Sequence, residues 1–384
     1  MKLSERAKSL PASGIRKMFT LAEKYENPIN LCIGEPGFGT PQNIIDAGCW
    51  AWNHGYTKYV ANAGLPELRK AIAEKVSRDN GIQVGPENVI VTFGANQALF
   101  SAFQVALNPG DEVLVPNPCF ANYFGYVALA QAKAVLVPTY EKDHFHVKAE
   151  VLERYITDKT RLIILNSPCN PTGSVTPKED LLAIAELAKK HDLIVVSDEP
   201  YEHILFDGST HCSIASLPGM FERTVTANGF SKTYAMTGWR IGYAVAEADT
   251  IKAMTLVLAS TTSNVTAAVQ VAAIEALRGS QECIAQMRAE YKKRRDLLVA
   301  GLNATKGISC LTPEGAFYAF ANITGTGLTS QQLAIRLLEQ VQVVTTPGDA
   351  FGPAGEGYLR LSFAASEEDI REAVIRIQKC LGTK

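Results

Sequence analysis

Short β-branched runs alternate with longer stretches of helical period through the middle of this chain. That alternation limits the folds open to it more than any other feature. NVIVTF (88–93) leads into ANQALFSAFQVAL, which stops at Asn108-Pro109-Gly110 before DEVLVP begins. RLIILN (161–166) passes through a Pro/Gly turn into PKEDLLAIAELAKKH and then LIVVSD (193–198). TVTANGF (224–230) and RIGYAVA (240–246) continue the pattern. Apolar strands alternating with helices of this length predict βαβ units, hence an α/β fold with a mainly parallel sheet. After about Glu275 the text changes to a long polar helix, QECIAQMRAEYKKRRDLLVAGLN, followed by shorter mixed segments. We therefore expect a large α/β domain over 45–282 and a smaller α+β domain built from 1–44 and 283–384.

At 384 residues the chain exceeds the roughly 100–200 residues of one ordinary domain. Lys+Arg at 37 against Asp+Glu at 39 gives a net charge of −2. That balance offers no general electrostatic pull toward nucleic acid or anionic membranes. No apolar run reaches the length of a membrane span, and MKLSERAKSLPASGIRK lacks the apolar core of a signal peptide. Eight scattered cysteines without a C-x-x-C pair fit neither zinc ribbons nor redox motifs, so a reducing cytoplasm is the expected setting. His144 and His146 form an H-x-H without a third ligand nearby, and a solvated loop is expected there rather than a metal site. The Lys292-Lys293-Arg294-Arg295 run is expected to be a charged helix face.

In parallel sheets, ligands bind where the strands end at their carboxyl side. Gly94, the stretch from Asn166 to Gly173, Asp198, and the stretch from Asn228 to Lys232 all fall at such ends. Singly, each has a plain explanation. Lys232 is a loop lysine, Asp198 a helix cap, Asn170 a turn residue in NSPCNPTG, and Phe120 or Tyr201 a packed aromatic. The combination weighs differently. A lysine close to a carbonyl cofactor needs a fixed cation for that cofactor's phosphate, and Arg240 follows Lys232 in KTYAMTGWR. Asp198 is the residue type that keeps a pyridine nitrogen protonated. Gly94-Ala95-Asn96 opens a helix whose free amides suit a phosphate.

Together these residues resemble the fold-type I, pyridoxal-phosphate-dependent aminotransferases of class I/II, in the aspartate/aromatic branch. The similar text runs in order through IGEPGF, TKY, GANQAL, NSPCNPTG, SDEPYEHI, NGFSKTYAMTGWRIGY, GAFYAF and YLRLSFA. The resemblance implies a three-layer α/β/α large domain and pyridoxal 5'-phosphate carried by Lys232 as a Schiff base. It implies that Asp198 pairs the ring nitrogen, that Asn170 and Tyr201 contact the ring oxygen, and that Phe120 stacks on the ring. Arg240 and the backbone of Ala95 and Asn96 would hold the phosphate, with Ser231 as a further contact. Tyr59 would reach the neighbouring site of a homodimer, while Arg360 clamps the substrate carboxylate beside Gly34.

The implied reaction is amino transfer from an L-amino acid to a 2-oxo acid such as 2-oxoglutarate. Some aspartate-specific relatives carry lysine where this chain has Asn96, so aromatic or broad donors are expected over strict aspartate. Some relatives carry serine where this chain has Gly229. A β-C–S lyase on the same fold is the alternative, and a regulatory, non-catalytic binding domain a distant one. Regulators of that kind carry a helix-turn-helix domain ahead of the fold, and here the similar text starts within the first few dozen residues.

Overall fold

The structure, a computed structural model, describes residues 2–4, 7–8, 10 and 14–384. The rest of the N-terminal stretch assigned to the smaller domain lies outside the described residues. At the centre is a seven-stranded sheet of β1 (Val89–Thr92), β2 (Glu112–Asn117), β3 (Lys133–Pro138), β4 (Thr160–Asn166), β5 (Ile194–Asp198), β6 (Thr224–Gly229) and β7 (Gly242–Val245). Its spatial order is β1-β7-β6-β5-β4-β2-β3. Neighbours are parallel except β7, which runs antiparallel to both β1 and β6.

The strands read as unbroken apolar runs because both faces are covered. Leu162 and Ile164 pack into one cluster with Leu99 and Phe103 of α2 (Ala95–Ala106) and Met254 of α5 (Ala248–Thr261). Ile163 and Leu165 point the other way, onto Leu181 and Ile184 of α3 (Lys178–Lys190). The period of two along β4 thus builds a helix layer on each face. A further cluster joins Leu68, Ile72 and Val76 of α1 (Pro66–Asp79) to Val89, Val91 and Tyr243. The short α4 (Phe230–Thr233) leaves the end of β6.

A smaller antiparallel sheet contains β8 (Ser309–Cys310), β9 (Tyr318–Asn322), β10 (Thr346–Pro347) and β11 (Tyr358–Ser362), in the order β10-β11-β9-β8. Its core joins Met18, Leu31 and Cys32 near one end of the chain to Leu298, Leu333 and Ile370 near the other. The charged run on α6 (Glu282–Asn303) departs from expectation. Lys292 and Lys293 are exposed, but Arg294 and Arg295 are buried. Arg294 packs over Phe38 and Arg295 over Phe206, so their apolar stems and flat heads serve as core. His146 departs too. It is largely buried, with Nε2 3.1 Å from a carboxylate oxygen of Glu314, rather than lying in a solvated loop.

Candidate active site

A cavity of about 390 Å³ opens at the carboxyl ends of the parallel strands. Asp198 reaches it as the last residue of β5, Asn170 from the turn after β4, and Lys232 from α4 after β6. Gly94, Ala95 and Asn96 line it from the start of α2, Ser231 from α4, and Phe120, Tyr201 and Arg240 from neighbouring loops. Gly34 and Arg360 arrive from the parts of the chain assigned to the smaller domain. Tyr59 is the one predicted site residue that does not line it; the residue is 89% exposed.

Lys232 is half-buried in the wall of this cavity, where its Nζ donates to the Gly34 carbonyl at 2.6 Å. Its pKa is pushed down to about 8, chiefly by burial, which disfavours the ammonium. The Glu35 carboxylate opposes that shift, whereas Arg360 and Arg240 add to it. Asp198 accepts a hydrogen bond on Oδ2 from the Tyr123 hydroxyl at 2.7 Å. Its Oδ1 is buried without a hydrogen-bond partner. Burial, reinforced by Glu199, raises its pKa to about 7, although Tyr123 and Lys232 pull it back. A carboxylate with one oxygen fixed and the other unpartnered is poised for a donor.

At the start of α2, Gly94 adopts φ +76°, and a Cβ there would come within 2.9 Å of Arg240 Nη2. Only glycine lets the guanidinium approach the free amides of the helix start so closely. Arg240 itself has φ +52°, a strained setting for a side chain this size. It donates to the Thr237 carbonyl at 2.9 Å and the Phe93 carbonyl at 3.4 Å. The Asn96 side chain is engaged elsewhere, accepting from the Tyr126 hydroxyl at 2.9 Å.

Arg360, 1% exposed, donates through Nη1 to Asn170 Oδ1 at 2.9 Å and through Nη2 to the Cys32 carbonyl. Its guanidinium lies over the rings of Tyr318 and Phe351, at 4.4 and 4.9 Å, and its Nε is buried without a partner. Tyr318 also shares a hydrogen bond of 2.9 Å with Tyr201, and its hydroxyl occupies the space a side chain at Gly34 would need.

Asn166, already placed at a strand end, donates to the Asp198 carbonyl at 2.8 Å. Several residues at the site were not singled out from sequence: Tyr123 holds Asp198, Tyr318 backs Arg360, and Glu35 accepts from Thr237. Tyr123 and Tyr318 sit inside the motifs PNPCFANY and GAFYAF. What was missing was the pairing of β9 with β11, which brings Phe320 opposite Arg360 and fixes the neighbourhood of Tyr318.

Comparison with known proteins decides the family. The model of the aminotransferase class I and II family matches residues 26–377. The chain belongs to that family. This aminotransferase is 46% identical to the aspartate aminotransferase of Pyrococcus abyssi, covering 100% of this chain and 99% of the relative. It is 44% identical to aromatic-amino-acid aminotransferase 2 of Thermococcus litoralis, with 100% and 99% covered. The crystal structure of the aromatic aminotransferase from Pyrococcus horikoshii superposes with a TM-score of 0.91 at 45% identity, covering 95% of this chain and 98% of that one. The aminotransferase is thus an α/β enzyme of amino-group transfer with the fold of its solved relatives. Among the described residues no helix is long and apolar enough to cross a membrane.

Proposed function

We propose that this aminotransferase carries pyridoxal 5'-phosphate on Lys232 and moves an amino group from an aromatic or broadly chosen L-amino acid to a 2-oxo acid such as 2-oxoglutarate. The observation that carries the reading is the unpartnered Oδ1 of Asp198 in the same cavity as a lysine whose pKa is lowered to about 8. The residues fit the cofactor. Asp198 Oδ1 suits a ring N–H, the Gly94–Arg240 cradle a phosphate, and Phe120 and the Asn170 and Tyr201 polar groups a flat, oxygen-bearing ring. When bound, the cofactor supplies a conjugated electron sink for the charge released at the donor's Cα.

The chain's own groups do the rest. Arg360 and Asn170 hold the donor's α-carboxylate, which fixes the Cα–H bond toward Lys232. Lys232 Nζ, freed as a neutral amine, lifts that proton and delivers it on the other side of the amino nitrogen. Tyr123 keeps the Asp198 carboxylate in place throughout.

The donor preference follows from the charges. Lys232, Arg240 and Arg360 are the cations lining the described cavity, and each has a task, while Glu35 adds an anion. A donor with a second carboxylate finds no free cation there, so aromatic or broad use is favoured. We extend the proposal to a homodimer in which Tyr59 reaches the neighbouring site. Tyr59 projects at 89% exposure, with Trp50 and Trp52 about half exposed at 49% and 50%. The division into 45–282 and the combined termini is part of the proposal and is supported by a core that joins residues 18–32 to 287–377, to which the large part adds Tyr201, Ile204, Phe206 and Ala235. A cytoplasmic setting is also part of it, and eight free thiols support that.

The test supplies phenylalanine, tyrosine, alanine or aspartate with 2-oxoglutarate and measures glutamate. The reading predicts glutamate, fastest with an aromatic donor. Pyruvate and ammonia released without any oxo acid would favour the β-C–S lyase instead. The relatives give that alternative no support, and none to a regulatory domain.

A further inference from the structure

Behind the cavity, a buried ion pair ties together the two segments that bring the reacting groups into it. Glu202 follows Asp198 and Tyr201 just beyond β5, and Asn228 lies in β6 shortly before Lys232 of α4. Glu202 Oε1 accepts from Lys75 Nζ of α1 and, at 2.8 Å, from Asn228 Nδ2. Its Oε2 accepts from Asn80 Nδ2 at 2.5 Å, and Lys75 also donates to Asn80 Oδ1 at 2.8 Å. Asn228 Oδ1 in turn accepts from the Gly229 amide at 2.7 Å, just where β6 gives way to α4. Lys75, Glu202 and Asn228 are all buried.

Glu199 lies alongside, held by Ser197 and Ser213 at 2.7 and 2.8 Å, with its second oxygen 2.9 Å from His211 Nε2. Glu199, Glu202 and His211 are near enough to one another to suggest a metal site. Two facts argue against it: the Lys75 ammonium already supplies the cation, and every oxygen of both carboxylates is engaged. Burial, the largest single influence, works to raise the Glu202 pKa, but Lys75, His203 and His211 together outweigh it and drive the carboxyl down to about 2.

Buried ion pairs are poor sources of stability, since apolar residues of similar volume often serve as well or better. Geometry gives this one a purpose. We infer that Glu202, together with Lys75, is a positioning residue: it holds the end of β5 with Asp198 and Tyr201 in register with α4, which bears Lys232. The inference rests on the aminotransferase reading of Lys232.

The test compares the cofactor-loaded enzyme with Glu202→Gln and with the double replacement Lys75→Leu, Glu202→Leu. Thermal midpoint, amide hydrogen exchange over residues 228–233, and kcat and KM with phenylalanine and 2-oxoglutarate are measured on each. The double variant should melt close to the parent or above it. Its exchange over 228–233 should nevertheless quicken by about tenfold relative to the rest of the sheet. Its kcat should fall by roughly tenfold or more while KM stays within about twofold, as expected for a displaced reacting group. Glu202→Gln keeps an acceptor for Asn228 and should show the same losses in weaker form, which keeps the test open if the double variant does not fold. Parental exchange and parental kcat in stable variants would overturn the inference. So would a loss of kcat that merely tracks a global fall in stability. A parent that transfers no amino group would instead defeat the functional reading, leaving local exchange to judge the tether.

Discussion

At Lys232 burial and charge compete, and burial prevails. A pKa near 8 means that the free amine gains its neutral, nucleophilic form as pH rises through that value. In cofactor-free protein, borohydride-trapped attachment of pyridoxal phosphate to Lys232 should therefore speed up between about pH 7 and 9. A rate flat over that range would contradict the account. Asp198 has the opposite sign. Its folded pKa of about 7 lies above an unfolded value of about 3.9, so the folded cofactor-free chain binds the extra proton between those limits. Its contribution to stability is complete below about pH 4 and is lost as pH rises through about 7. Asp198→Asn should remove that slope, so the parent-minus-variant difference in stability falls across the window. Urea titrations at several pH values check it. Arg360→Lys keeps the charge but loses the fork that engages Asn170 and Cys32. It should lower kcat/KM by about 1.5–3 kcal/mol, roughly tenfold to a hundredfold.

At the scale of elements, the helix start after β1 is the most exacting piece. Gly94→Ala would force a Cβ into the left-handed region at a cost of about 1–2 kcal/mol and push it onto Arg240. Cofactor affinity, read by spectral titration, should drop about tenfold while the fold persists. This piece was legible in the sequence because a strand, a glycine and a helix follow one another directly. The strands β1, β2, β4, β5, β6 and β7 were legible for a similar reason, since runs apolar on both faces carry their own signal. Partners across the chain were not. Tyr123 meets Asp198 where the helix Asn122–Leu129 packs against the end of β5, and no local spacing announces it. Arg294 and Arg295 read as surface charge because their burial depends on Phe38 and Phe206 lying over them in space. His146 likewise looked solvated until Glu314 came in from a distant segment.

For the whole molecule, the site depends on residues that the fold gathers from both ends of the chain. Gly34 and Arg360 line the cavity beside groups borne by the large sheet, so the site takes shape only where both ends of the chain pack against that sheet. If Tyr59 completes a neighbouring site, Tyr59→Ala should weaken cofactor binding although Tyr59 is remote from its own chain's cavity, and light scattering should report a dimer for the parent. The most direct test of the central claim is an absorbance spectrum of the purified protein, recorded before and after single amino acids are added. The account predicts a yellow protein whose visible band gives way to a near-ultraviolet one with phenylalanine or tyrosine, and which Lys232→Ala does not reproduce. A colourless protein that takes up no added pyridoxal phosphate would contradict it.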